Sequence, residues 1–80
     1  MTGVQVLYFA SLRQAAGMET ETVQTASTDL AGLYAELRTR HGFAWDTPHL
    51  RVAVDGAFAR WDDGLSEGAQ IAFIPPVSGG

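Results

Sequence analysis

Eighty residues, of which 46% are hydrophobic and 18% charged, are enough for one globular domain and too few for two. The formal net charge is -4, lysine and cysteine are absent, and the cations are scattered: Arg13, Arg38, Arg40, Arg51 and Arg60. This pattern excludes the dense basic surface that nucleic acid needs, and no apolar run approaches the length of a membrane span. We therefore expect a cytoplasmic protein that binds neither nucleic acid nor membrane.

The first part of the chain predicts two strands with a short helix between them. Residues 4–10 are rich in β-branched and aromatic side chains on both faces, which is typical of a central strand. Residues 11–16 predict a helical turn that ends at Gly17, where a positive φ is easily adopted. Residues 19–25 alternate in polarity and predict a returning edge strand.

The clearest predicted helix begins near Ser27-Thr28-Asp29. A hydroxyl at this point can cap free backbone N–H groups, and Asp29 faces the positive end of the helix dipole. Gly42 is expected to end the helix, whereas Gly32 inside it costs about 1 kcal/mol relative to alanine. Spacings of three and four predict one buried stripe, formed by Leu30, Leu33, Tyr34 and Leu37, with His41 as a further candidate.

The second part of the chain predicts short strands separated by turns. Asp55-Gly56 is a typical hairpin turn, and Asp62-Asp63-Gly64 and Glu67-Gly68 are further turn sequences. In chain order we expect a loop over residues 43–48, strands over residues 51–54 and 57–61, an inward-facing Leu65, and a last strand over residues 69–74.

This order of elements predicts an α+β domain of the β-grasp type. One main helix can cover one face of a mixed sheet of four to five strands. The most apolar strands, the first and the last, should lie at the centre and run parallel, with the helix as the crossover. Residues 1–80 would form this single domain, with residues 75–80 as an extended tail.

The end of the chain is a separate feature. Pro75 and Pro76 lack the amide hydrogen that a sheet ladder needs, so the chain should leave the sheet there. Six residues reach up to about 20 Å. Gly79 and Gly80 have no side chains, so they could enter a narrow, enclosed site in which a carboxylate is activated. A frayed terminus or a cloning remnant is the alternative for such an ending.

Two stretches resemble a known family. They are Val6-Leu7-Tyr8-Phe9-Ala10, followed by Arg13 and Gly17, and residues 68–80, which end in Ile74-Pro75-Pro76-Val77-Ser78-Gly79-Gly80. Both resemble the small subunit of molybdopterin synthase, a ubiquitin-like sulfur carrier of the ThiS-MoaD family. The ending is the specific part, and Ile74 stands where the family often has an aromatic residue.

The resemblance implies that the Gly80 carboxylate is the reacting group and Gly79 its steric companion. An adenylating enzyme related to ubiquitin activators would use ATP-Mg to attach AMP, and a sulfur donor would convert the acyl adenylate to a thiocarboxylate. The large synthase subunit, in a heterotetramer of two small and two large subunits, would then receive the sulfur for cyclic pyranopterin monophosphate. The chain itself would bind no cofactor or metal and would be inert without these partners.

The resemblance also implies partner-binding residues. An apolar patch around the root of the tail would dock on the partners, although each of its members could instead fill the core. The residues implied are Phe9, Phe58, Ile74, Pro75, Pro76, Val77 and Ser78.

Other functions stay open at this point. The sulfur could go to the thiazole of thiamine, to cysteine synthesis or to transfer RNA. The chain could also be a ubiquitin-like binding module whose tail is dispensable, or a covalent modifier that attaches Gly80 to lysines of other proteins. His41 and His49 lack metal-ligand spacing, and the serines lack a nucleophile motif.

Overall fold

Five strands form one mixed sheet in the computed structural model, which describes residues 1–76. The sheet order is β2-β1-β5-β3-β4, with β1 and β5 parallel and the other neighbours antiparallel. This confirms the predicted β-grasp arrangement. The elements are β1 (Thr2–Tyr8), α1 (Ala10–Ala16), β2 (Thr20–Thr25), α2 (Leu30–His41), a 3-10 turn (Thr47–His49), β3 (Arg51–Val54), β4 (Ala57–Ala59) and β5 (Gln70–Ile74).

Helix α2 covers one face of the sheet, as its apolar stripe predicts. The four predicted stripe residues from Leu30 to Leu37 are all buried. They pack on alternate strand residues such as Val6 and Ile71, which are fully buried. The ring of Tyr34 lies 5.1 Å from that of Phe73, measured between centroids, and closes the centre of the core. We call this side the covered face.

The start of α2 differs from the prediction in its capping group. The cap is the Asp29 carboxylate, which accepts a hydrogen bond from the Gly32 amide at 2.8 Å, and not a hydroxyl. A Cβ atom on Gly32 would lie 3.1 Å from Asp29 Oδ1 and 3.3 Å from Ser27 Oγ. Glycine at position 32 therefore leaves room for the cap, which offsets its low helix propensity.

A polar cluster joins the end of α2 to the sheet. Glu21 accepts hydrogen bonds from the Tyr8 hydroxyl at 2.7 Å and from Arg40 at 3.2 Å, and His41 Nε2 lies 2.9 Å from Glu21. Burial raises the pKa of Glu21, but the hydrogen bonds from Tyr8 and His41 outweigh it and hold that pKa below its usual range. Burial and the bond to Glu21 both raise the pKa of Tyr8. His41, the further candidate for the stripe, is therefore a hydrogen-bonded residue whose partner is Glu21.

Several predicted boundaries shift by a few residues. Strand β1 ends at Tyr8, so Phe9 is the N-cap of α1 and not a strand residue. Strand β4 ends at Ala59 because the Arg60 amide donates to the Asp63 carboxylate at 3.0 Å and starts a turn. A 3-10 turn replaces the end of the predicted loop.

Neither α-helix in residues 1–76 has the length and hydrophobicity of a membrane-spanning segment.

Candidate functional site at the tail root and the uncovered face

The sheet face opposite α2 carries a row of apolar side chains. Within residues 1–76, no helix covers this row. Strand register places Leu7 beside Ala72, Ala72 beside Ala53, and Ala53 beside Phe58. These residues alternate with the core residues of their strands, so their side chains all point away from α2. The Phe58 side chain is 71% exposed. We call this side the uncovered face. Exposed apolar patches on small domains are typical of protein–protein interfaces.

Three of the predicted patch residues, Phe9, Phe58 and Ile74, lie on this face, but not in one cluster. Phe9 is 44% exposed and follows directly after β1, while Ile74 is partly buried at the end of β5. Both line one groove beside the start of the tail. Phe58 lies on the edge strand β4, with β3 between it and Ile74. The structure therefore brings Phe9 and Ile74 together and places Phe58 farther along the same face.

The groove that contains Phe9 and Ile74 is largely apolar, with a volume of about 620 Å³. Trp45 forms part of its wall, and its indole N–H donates to the Ser11 hydroxyl at 3.0 Å. Ala10, also in the wall, has a φ of 51°, a left-handed conformation that costs a residue with a Cβ roughly 1–2 kcal/mol. This bend turns the chain from β1 into α1 directly after Phe9. We call it the Trp45 groove.

A second groove of about 620 Å³ lies on the other side of the tail root. His49 and Arg51 line it together with Ile74 and the two prolines. Pro75 itself is buried, whereas Pro76 is exposed. The first residue of the predicted tail therefore packs between the two grooves as part of the domain. Val77, Ser78, Gly79 and Gly80 lie outside the described residues.

Arg51 and Trp45 are among the residues of this site that sequence reasoning did not assign to it. Arg51 is paired in register with Ile74, and its guanidinium carbon lies 5.7 Å from the centre of the Phe58 ring, a distance at which the cation and the ring attract each other. Side chains along a strand alternate between the two faces of a sheet. Because Val52 is buried, the sequence pattern could have indicated that Arg51 points outward. Trp45 contacts Ser11 in the groove wall, and these residues are more than thirty positions apart in the sequence. No local sequence pattern indicates such a contact.

The walls of the site are mainly apolar and aromatic side chains, with the Ser11 hydroxyl, the His49 imidazole and the Arg51 guanidinium among them. Aromatic residues and arginine are enriched at the centres of protein interfaces. Within residues 1–76, no group of three or more histidine, cysteine, aspartate or glutamate side chains is placed to hold a metal ion.

The fold is similar to known structures. Small archaeal modifier protein 1 from H. volcanii matches with a TM-score of 0.82 at 22% identity, covering 96% of this chain and 100% of that chain. A chain of the complex of subunits 1 and 2 of molybdopterin-converting factor from Helicobacter pylori matches with a TM-score of 0.68 at 24% identity, covering 99% and 100%. At these identities the similarity shows the β-grasp fold.

The sequence has closer relatives. The molybdopterin synthase sulfur carrier subunit of Homo sapiens is 37% identical over 82 aligned residues, which cover 96% of this chain and 93% of the relative. The ThiS family matches residues 6–80, which include both stretches on which the resemblance rests. The chain is therefore a member of the ThiS family.

Proposed function

We propose that this chain is the sulfur carrier of molybdopterin synthase and that the Gly80 carboxylate is its reacting group. The observation that carries the proposal is the extent of the similarity. It runs from the first strand to Gly80 and includes a relative, 37% identical, that is named as a molybdopterin synthase sulfur carrier subunit. The tail root between two grooves supports the same role, because a carrier must present its terminus while its body docks.

The proposed chemistry needs only the terminal carboxylate from this chain. The carboxylate attacks the α-phosphorus of ATP on an activating enzyme, which releases pyrophosphate and leaves an acyl adenylate. A sulfur donor then displaces AMP and yields a thiocarboxylate. Its sulfur attacks a carbon of the cyclic pyranopterin monophosphate precursor and displaces an oxygen substituent from that carbon. Water then cleaves the acyl–sulfur bond, which restores the carboxylate and leaves the sulfur on the pterin as a thiol. Gly79 leaves the end of the chain narrow enough for an enclosed site.

The uncovered face would hold the partners. Phe9 and Ile74 flank the tail root, and the exposed Phe58 extends the same apolar surface. A large subunit that covers this face would receive the tail at a fixed place. The H. pylori complex pairs two subunits of a molybdopterin-converting factor; for this chain we propose an analogous assembly of two small and two large subunits. The activating enzyme would dock on the same face at another time.

Deletion of Gly79-Gly80 tests the proposal. The full chain is incubated with its cognate activating enzyme, ATP-Mg, a sulfur donor, the large subunit and the pterin precursor. Intact mass should show one oxygen replaced by sulfur, and molybdopterin should form. The deletion variant should keep its fold, measured by circular dichroism, and lose both signals. As a matched control, the thiocarboxylate is installed chemically on the full and on the shortened chain; only the full chain should transfer its sulfur.

Other outcomes identify the alternatives. A tail-deleted chain that retains its function indicates a binding module. Conjugates to lysines of other proteins that resist hydroxylamine indicate a covalent modifier. A thiocarboxylate that forms normally but transfers sulfur only to a thiazole, cysteine or transfer RNA acceptor indicates another sulfur pathway. Each of these results would overturn the proposal.

A further inference from the structure

Arg51 lies within the docking surface proposed above, on which this inference rests. Its strand, β3, lies between β5 and β4 in the sheet. Arg51 is the register partner of Ile74 and contacts the ring of Phe58 across the next strand pair. A partner that covers both Ile74 and Phe58 must therefore also cover the guanidinium of Arg51.

The other cations differ from Arg51 in their ion pairs or in their position. Arg38, Arg40 and Arg60 form salt bridges with acids of the chain. Arg13, like Arg51, forms no salt bridge within residues 1–76, but it lies on α1, whereas Arg51 lines a groove at the tail root. Within residues 1–76, the side chain of Arg51 makes neither a salt bridge nor a hydrogen bond, and its side chain is exposed. The Phe58 ring lies against the guanidinium, but it supplies no hydrogen-bond acceptor in the plane of the five N–H donors.

Burial of this group without a partner would oppose docking. A guanidinium that is removed from water with no acceptor loses its hydration, whereas a carboxylate can accept two parallel hydrogen bonds from it. Arginine is the side chain best suited to such two-point recognition, because its donors form a rigid planar fork. The net charge of the chain is -4, so a positive site on its docking face stands out from the rest of the molecule. Such a site also selects against partners that are basic at this point.

We infer that Arg51 is a specificity-determining residue of the docking face, and that the large synthase subunit presents a carboxylate side chain opposite its guanidinium. The surrounding apolar contacts exclude water from the pair, and the pair fixes the orientation of the carrier on its partner. Because the pair joins two groups of opposite charge, its contribution to binding should weaken as the salt concentration rises.

Charge reversal at Arg51 tests the inference. Binding of the full chain to its cognate large subunit is measured by calorimetry for the wild type, Arg51→Ala and Arg51→Glu. We expect affinity to fall about 10-fold for the alanine variant and about 100-fold for the glutamate variant, with a weaker salt dependence in the alanine variant. Thr39→Glu is the control, since it makes the same one-unit charge change as Arg51→Ala at an exposed position of α2, on the other side of the sheet, and it should shift affinity no more than about 3-fold.

Rescue identifies the partner group. Each aspartate and glutamate on the large subunit's contact surface is changed to lysine and tested against Arg51→Glu. One such change should restore at least about 10-fold in affinity to Arg51→Glu while weakening the wild type. Urea unfolding of both Arg51 variants should match the wild type, because the side chain is exposed and lies outside the core.

Several results would overturn the inference. If Arg51→Glu binds as tightly as Thr39→Glu while Phe58→Ala is weakened, the inference fails and the proposed function stands. If the loss occurs but no lysine change rescues it, the guanidinium has no carboxylate partner. If Arg51→Glu weakens only the activating enzyme, the assigned partner is wrong. If the wild type itself does not bind the large subunit, the proposed function fails and the inference fails with it.

Discussion

The two faces of the sheet have the same backbone and opposite side-chain chemistry. On the covered face, Phe73 and Tyr34 are fully enclosed, and the ring of Phe73 stacks on that of Trp61 with 5.9 Å between centroids. Within residues 1–76, no buried side-chain nitrogen or oxygen lacks a hydrogen-bond partner. On the uncovered face, large apolar side chains such as Phe58 remain in contact with solvent.

This difference separates stability from recognition within one small domain. A chain of 80 residues can build one core, so the side chains that hold the fold are concentrated on the covered face. The side chains on the uncovered face contribute little to folding, and their arrangement can instead follow the shape of a partner. Substitutions on the two faces should therefore have effects of different kinds.

The largest expected effect is on the covered face. Phe73→Ala removes a fully buried ring between Tyr34 and Trp61 and should lower the free energy of unfolding by about 3–5 kcal/mol, a large part of the total for a domain of this size. Phe58→Ala makes the same chemical change on the uncovered face and should cost less than about 0.5 kcal/mol. Urea unfolding measures both. Equal losses for the two variants would contradict the division between the faces.

The next effect in size concerns binding. Phe58→Ala should weaken association with the large subunit by about 10-fold or more, since an exposed aromatic residue at an interface is a typical source of binding energy. Met18→Ala is the matched control, because Met18 is also an exposed apolar residue, at 38%, but lies in the turn between α1 and β2. Calorimetry at one salt concentration gives both affinities. A larger loss for Met18→Ala would place the docking surface elsewhere.

A smaller change in stability is expected at the start of α2. Asp29→Ala removes the carboxylate that caps the Gly32 amide and should cost about 1 kcal/mol. Asp62→Ala, which removes an exposed carboxylate from the turn after β4, is the control and should change stability by less than about 0.5 kcal/mol. Thermal unfolding distinguishes them. If both variants unfold at the same temperature as the wild type, the cap does not contribute to the stability of the covered face.

The smallest effect is a pH dependence that only the covered face should show. Hydrogen bonds from Tyr8 and His41 keep the pKa of Glu21 below its ordinary value of 4.5, despite its burial. The ionised carboxylate therefore stabilises the fold at neutral pH, and this contribution is lost as the pH falls below about 4.5 through the lowered pKa. Glu21→Gln should flatten the fall in stability between about pH 5 and pH 3, measured by urea unfolding. Glu19→Gln, an exposed change in the same segment, should leave that fall in place.

Most of the fold could be predicted because its signals are local. Asp55 and Gly56 both adopt positive φ angles, 51° and 89°, as the hairpin sequence indicates. The early start of β1 could not be predicted, because it depends on a distant turn. The Gly3 amide donates to Glu67 at 2.9 Å, and the Gly3 carbonyl accepts from the Gly68 amide at 2.7 Å. Such partners are fixed by tertiary packing and leave no trace in nearby sequence.

The candidate site was predictable only in part, for the same reason. The exposure of Phe9 and Phe58 agrees with the surface role that the resemblance implied. The contact between Arg51 and Phe58 requires two strands to be paired in one register, and the groove wall formed by Trp45 requires a loop to reach α1. Both features arise between elements, so residue patterns within one element could not reveal them.

The buried Pro75 has a geometric consequence for any enzyme that uses this chain. Because Pro75 is buried in the domain, the proposed reacting residue Gly80 is connected to it by the five residues 76–80, which at roughly 3.3–3.6 Å each span at most about 18 Å. In the proposed function, the Gly80 carboxylate would therefore react within that distance of the surface that holds the body. Each partner's active site would have to open within the same distance of its docking surface, so this segment limits the shape of every partner.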